Sequence, residues 1–166
     1  MSRIRTRVGS SFPAIPAGWR DDTLAAKWNQ IRQVRRVVTG ALEIERAKKT
    51  IGSSLEAVPT VYVGQGYDGL FSGLDPAEIF ITSAAEIKSS EGNGADHPEL
   101  AGRSAFIEEA VGPEIAVVVD KAEEVGLRKC ARSWRFTADV GQNPDFPDVS
   151  ARDAAVLEEL RALGQL

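Results

Sequence analysis

Leu24, Trp28, Ile31, Val34, Val38, Ala41 and Leu42 recur at steps of three and four, which places them on one stripe of a long helix. Arg32, Arg36, Thr39 and Glu43 fall on the far side, so the stripe is expected to be buried and the opposite face solvated. Asp21 and Asp22 stand where a helix N-terminus favours acids, and Lys48 and Lys49 where a C-terminus favours cations. Gly52 can supply the left-handed residue that stops a helix, so this one is expected to end between Lys48 and Gly52. Ahead of it, Gly9, Pro13, Pro16 and Gly18 forbid a continuous helix, and residues 1–20 read as an arm.

The pattern then changes. Residues 59–63, PTVYV, form a short β-branched and aromatic run closed by Gly64 and Gly66, and predict a strand. Asp68 to Leu74 reads as a turn or a short helical piece, and Asp75 followed by Pro76 as a helix or turn start. Residues 78–83, EIFITS, predict a second strand. The polar, glycine-bearing residues 88–104 predict an exposed insertion with a mobile tip. Residues 115–120, IAVVVD, predict a strand buried on both faces. Residues 127–136 predict a basic hairpin, and 141–147 a turn-rich loop. Ser150 with Asp153 resembles a capping box opening a final helix, whose Val156, Leu157, Leu160 and Leu163 make an apolar stripe. The expected class is α+β: a long N-terminal amphipathic helix, a small β-sheet and a C-terminal helix.

Charge sharpens this picture more than composition does. Of 166 residues, 43% are hydrophobic and 27% charged, ordinary values for a globular chain, and no apolar run approaches the roughly 20 residues that span a bilayer. The basic N-terminus lacks the apolar core of a secretory signal, so a cytoplasmic setting without a membrane partner is expected. The single cysteine, Cys130, excludes an intramolecular disulfide. The net charge of −4 conceals an asymmetry: residues 1–49 carry +7 and residues 50–166 carry −11. Within the acidic part lies one basic island, Arg128, Lys129, Arg132 and Arg135, with no acid between Glu124 and Asp139. Two basic patches on an acidic chain suit a polyanion met at defined places; solvated helix and hairpin faces are the plainer reading.

Three phrases carry a resemblance. Residues 28–57, WNQIRQVRRVVTGALEIERAKKTIGSSLEA, resemble the segment of bacterial isoleucyl-tRNA synthetases where the anticodon-binding helical region passes into the C-terminal domain. The upstream FPAIPAGWR, residues 12–20, is similar to the phrase preceding that helix. Residues 129–135, KCARSWR, resemble the family's C-terminal zinc knuckle. The resemblance implies a division into the arm, a junction helix and hinge at 21–57, and a small α+β C-terminal domain at 58–166. It also implies a partner, isoleucine tRNA, with the remaining synthetase domains as a second one.

Site expectations follow from these residues. Arg32, Arg35, Arg36, Arg46, Lys48 and Lys49 are expected to anchor phosphates, with Arg128, Lys129, Arg132 and Arg135 as a second clamp. Trp134 has two readings: packing in a small core, or stacking on an unpaired base between its flanking arginines. The family's knuckle holds zinc with two Cys-x-x-Cys pairs, and here the corresponding positions are Cys130, Ser133, Ser150 and Asp153. With three of four thiolates gone, the expectation is a hairpin without its metal, held by Trp134, Phe136 and the Ser150 cap. The synthetase signatures of the His-x-Gly-His and Lys-Met-Ser-Lys-Ser types are absent: the only histidine is His97 and the only methionine Met1. The chain is therefore expected to be non-catalytic, with ATP used by parts of the full-length family enzyme outside it. Two other classes stand beside this reading: a protein-interaction module docking by the helix stripe, and a small hydrolase using Cys130 and His97.

Overall fold

A computed structural model describes residues 16–166. The expected arm therefore lies outside the described residues up to residue 15; within it, a 3-10 turn at Ala17–Trp19 leaves Trp19 exposed. Helix α1 spans Asp22–Ala47, with Asp21 as its N-cap accepting a hydrogen bond from the Leu24 amide at 2.8 Å. At its other end the Lys49 amide donates to the Arg46 carbonyl and the Thr50 amide to the Glu45 carbonyl, the paired bonds of a Schellman turn. Lys49, at φ 61°, takes the left-handed position expected of Gly52. The amide of Gly52 instead donates to the Glu56 carboxylate at 2.9 Å, and the preceding Ile51 is buried.

Strand β1 (Ala57–Val63) is the centre of a three-stranded sheet. It pairs in parallel with β2 (Glu86–Ser89) and antiparallel with β3 (Ile115–Lys121). The register sets Val61 opposite Val117 and Val63 opposite Ile115, and these face Ile31, Val34, Val37, Val38, Ala41 and Leu42 of α1 in one core. By the two-residue alternation of a strand, Tyr62, Ala116 and Val118 point to the other face. Both faces are therefore buried, as the apolar run of β3 predicts.

The cover on that second face corrects the sequence reading of residues 88–104. They are not a free insertion: Ala95 and Leu100, with Ala105 just beyond them, pack on Tyr62 and its neighbours, and the His97 ring lies 4.7 Å from the Tyr62 ring. Lys88 binds Glu99 at 2.5 Å and Arg103 binds Asp120 at 2.6 Å, fastening the segment at two points. Most of its polar side chains face water, Ser90 excepted, while a few apolar ones face the sheet, a division too sparse to register as a period.

Residues 78–83 are not a strand either. Asp75 caps the Ala77 amide at 2.9 Å and Pro76 fills the first helical position, so the chain enters a short helix, α2 (Pro76–Phe80), that buries Ala77 and Phe80. Strand β2 follows it instead. The basic hairpin forms, with β4 (Arg128–Lys129) antiparallel to β5 (Phe136–Thr137). Helix α3 (Ala151–Ala162) starts at the Ser150 cap, but its expected stripe is not a core: Ala154 is buried, Leu157 partly so, and Val156 and Leu163 are exposed. On α1, likewise, the stripe is covered only from Ile31 onward, and Leu24 and Trp28 remain 50% and 37% exposed. No helix among the described residues is long and apolar enough to cross a membrane.

Gly94 is where the covering segment comes closest to the sheet. A Cβ there would overlap the Tyr62 carbonyl oxygen and lie 2.7 Å from that of Glu114. Gly94→Ala is expected to cost about 1–3 kcal/mol in a urea titration. Gly66→Ala, with nothing within 4 Å of the added carbon, is the control and is expected to stay within about 0.5 kcal/mol.

Candidate nucleic-acid interface

The six cations expected on α1 do not form one patch. At 1.5 Å per residue, Arg32 and Lys48 lie roughly 24 Å apart along the helix axis. Arg32 and Arg35 flank a groove of about 500 Å³ that also takes in Trp28, Leu74, Asp75 and Ile81. Arg32 is held by the Asn29 side chain at 2.8 Å. Three of the six are matched by carboxylates: Arg36 by Glu108, Arg46 by Glu43, and Lys48 by Glu45 at 2.8 Å. The hydrogen bond from Lys48 holds the Glu45 carboxyl below its usual range against the opposing effect of burial. Among the described residues, Arg32, Arg35 and Lys49 have no carboxylate at ion-pair distance.

The hairpin cluster is more concentrated. Arg128 donates to the Val140 carbonyl at 3.1 Å, which fixes its guanidinium against Gly141. Lys129 places its ammonium 5.3 Å from the centre of the Trp134 ring. Arg132 reaches toward Asp153 at 3.8 Å, and Arg135 donates to the Ser83 carbonyl at 3.4 Å, its Nε buried without a partner. Trp134 is not a core residue: it is 64% exposed. The reason lies in the backbone, since Trp134 sits at φ 62° while its amide bonds the Cys130 carbonyl at 2.9 Å, which aims the side chain away from the hairpin interior. A bulky residue in this region costs about 1–3 kcal/mol.

Phe136 fills the interior that Trp134 leaves, and is buried. The hairpin is tied to the main body by Ser83, a residue the sequence did not single out. The Ser83 hydroxyl donates to the Leu55 carbonyl at 2.6 Å and accepts the Phe136 amide at 2.7 Å. Through Ser53, Leu55 and Glu56 the turn after α1 lies against Lys129, Trp134 and Phe136. The C-terminal end of α1 and the hairpin are thus neighbours, whereas Arg32 and Arg35 belong to a different part of the surface.

Below the hairpin, Cys130, Ser133, Ser150 and Asp153 converge. The fully buried Cys130 thiol lies 3.1 Å from the Asp153 carboxylate and receives the amides of Ser133 at 3.5 Å and Ser150 at 3.3 Å. Burial pushes this thiol up, and the donors from Ser133 and Ser150 outweigh it, for a net lowering. Hydrogen bonds, that from Cys130 first, hold the Asp153 carboxyl below its ordinary range. His97, 33 positions earlier in the chain, lies against Tyr62, whereas Cys130 belongs to a separate cluster with Val140, Val149 and Ala154, and no hydrogen bond joins the two. The pairing needed for a thiol hydrolase is therefore not assembled.

No family model matches this chain. It is similar to the isoleucine–tRNA ligase of Mesorhizobium japonicum, with 57% identity over 156 residues that are 93% of this chain and 15% of that protein. The isoleucine–tRNA ligase of Brucella abortus is 52% identical over the same shares, and that of Agrobacterium fabrum 51% identical over 155 residues, 93% of this chain and 15% of the relative. The chain spans about 15% of the length of these curated relatives. The resemblance carried by residues 28–57 and 129–135 thus extends along nearly the whole chain, to one part of an isoleucine–tRNA ligase.

Asp139 anchors the start of α3 to the hairpin, accepting the Ala151 amide at 3.0 Å and the Thr137 hydroxyl. The Thr137 bond, aided by the Ala151 amide, holds its carboxyl below the ordinary range despite some burial. A lowered folded value means that this stabilisation is complete above the ordinary carboxylate pKa of about 3.9 and is lost as pH falls through the folded value. Asp139→Ala is expected to cost about 0.5–2 kcal/mol at neutral pH, by analogy with loss of a helix cap. Urea titrations on the acid side should show the gap between variant and wild type closing.

Proposed function

We propose, from the premise that this chain corresponds to one part of an isoleucine–tRNA ligase, that it is a non-catalytic tRNA-holding part of such an enzyme. In this reading it supports ATP-dependent isoleucylation carried out by segments outside it, in the cytoplasm. The observation that carries the reading is Trp134, a strained and exposed indole with an ammonium beside it and arginines on either side in sequence. Leaving a large apolar side chain in water forgoes roughly 1.5–3 kcal/mol. An unpaired base stacked on the ring recovers that loss, and Lys129 and Arg135 offer charge to the adjoining phosphates, with a smaller share from Arg132, which is shared with Asp153. On α1, Lys49 extends this surface, and Arg32 and Arg35 make a separate contact. Arg36, Arg46 and Lys48, already matched by carboxylates, contribute less.

A second reading is favoured by a different observation. The groove beside Arg32 and Arg35 is edged by exposed Trp28 and Ile81, and Ile81 is itself a β-branched residue at φ 59°. An apolar surface of this kind suits a partner helix, as in a protein-interaction module.

The two readings are separated by titrating the chain with isoleucine tRNA and with a second tRNA at two salt concentrations. RNA binding is expected to weaken with salt, with a slope of about 0.7–0.9 per phosphate neutralised, and to favour isoleucine tRNA. Trp134→Ala should weaken it by about 1–3 kcal/mol with the melting temperature unchanged. A flat salt response, or full RNA binding by the Arg132→Glu/Arg135→Glu double variant, counts against the tRNA reading. If in addition Trp28→Glu abolishes a complex with the remaining synthetase segments, the interaction module is the better account.

A further inference from the structure

A closed structural zinc site takes four Cys or His ligands, with thiolate sulfurs about 2.3 Å from the metal. The two x-x pairs that meet here, Cys130 with Ser133 and Ser150 with Asp153, supply one thiol, two hydroxyls and one carboxylate. Among the described residues no three His, Cys, Asp or Glu side chains gather closely enough to hold a metal ion. The donor set does not fit zinc. The two pairs nevertheless converge as metal-ligand pairs would, and what lies between them is the Asp153 carboxylate.

We propose that this knuckle is organised without metal, with the Asp153 carboxylate as the group on which both arms close. Its Oδ2 accepts from the Cys130 thiol at 3.1 Å and from the Ser150 hydroxyl at 3.0 Å, and Ser150 accepts the Asp153 amide in return at 3.3 Å. Arg132 balances its charge at 3.8 Å from the other oxygen. Asp153 also lies in the first turn of α3, where the helix dipole favours an anion. The carboxylate thus joins the hairpin arm to the helix arm, with charge-assisted hydrogen bonds where a metal would use coordinate bonds. The Cys130 sulfur takes two backbone amides, so each arm is held from both sides. The same closure shapes the loop that carries Trp134, because Cys130 bonds Arg135 and Trp134 through its own backbone. The inference rests on the likeness of residues 130–153 to a four-thiolate knuckle and is independent of RNA binding.

The test combines metal analysis of the purified chain with thermal unfolding in the presence of EDTA and of added zinc. The wild type is expected to carry no stoichiometric zinc and to melt at the same temperature in both. Asp153→Ala should melt at least about 3 °C lower, and Asp153→Asn, which keeps acceptor oxygen but not charge, between the two. The Ser133→Cys/Ser150→Cys/Asp153→Cys variant should bind one zinc per chain and become sensitive to EDTA. Stoichiometric zinc in the wild type, a melting temperature lowered by EDTA, or Asp153→Ala and Asp153→Asn melting as the wild type does would each overturn the proposal. Failure of the triple-cysteine variant to take up zinc would refute the convergence of the four positions. Should Asp153→Ala not fold, the Asn variant and the chelator arm still decide.

Discussion

Strand β1 has neither a free edge nor a free face, and the rest of the molecule is arranged to make that so. Its edges are taken by β2 and β3, one face by the Ile31 to Leu42 stretch of α1, and the other by the segment around Ala95 and Leu100. A strand as apolar as AVPTVYV must be paired and covered, since each backbone group left without a partner costs on the order of 1–3 kcal/mol. Charged side chains are consequently kept off both faces of β1 and lie on the outer surfaces, among them the far side of α1, the covering segment, the hairpin and α3.

That displacement sorts the cations by their surroundings. On α1, acids three residues away on the same helix, or across on Glu108, already match Arg36, Arg46 and Lys48. At the hairpin, among the described residues, Lys129 has no carboxylate at ion-pair distance, and its ammonium lies 5.3 Å from the centre of the Trp134 ring. Charge that is already matched in the folded chain gives little to a polyanion, because binding must first displace the partner. Cations without an ion-pair partner therefore remain in both places, Arg32, Arg35 and Lys49 at α1 and Lys129 on the hairpin, where Arg132 is shared with Asp153.

The hairpin owes its form to two anchors that do different things. Ser83 and Phe136 fix it to the main body through buried hydrogen bonds and apolar packing. The cage around Cys130 and Asp153 fixes it to α3. Between them Trp134 sits at φ 62° with its ring turned out.

The sequence alone determined the periodic parts and their ends. It fixed α1 through its apolar spacing and its Asp21 cap, β1 and β3 through their β-branched runs, and the start of α3 through Ser150, because these depend on neighbours a few residues away. The basic character of the hairpin was also legible, since charge is written in order, whereas Cys130, Ser133, Ser150 and Asp153 were brought together only by the family resemblance. The tertiary structure alone decided the rest. Residues 78–80 joined a helix because Asp75 and Pro76 start one, residues 81–83 left it as a turn, and the expectation of a strand gave way there. Lys49 stopped α1 before Gly52, and residues 88–104 became a cover for the sheet. Which cations are matched, and whether Trp134 faces inward or outward, depended on groups far apart in the chain that meet only on folding. A one-dimensional pattern carries the period of an element, and not the identity of what will lie across from it.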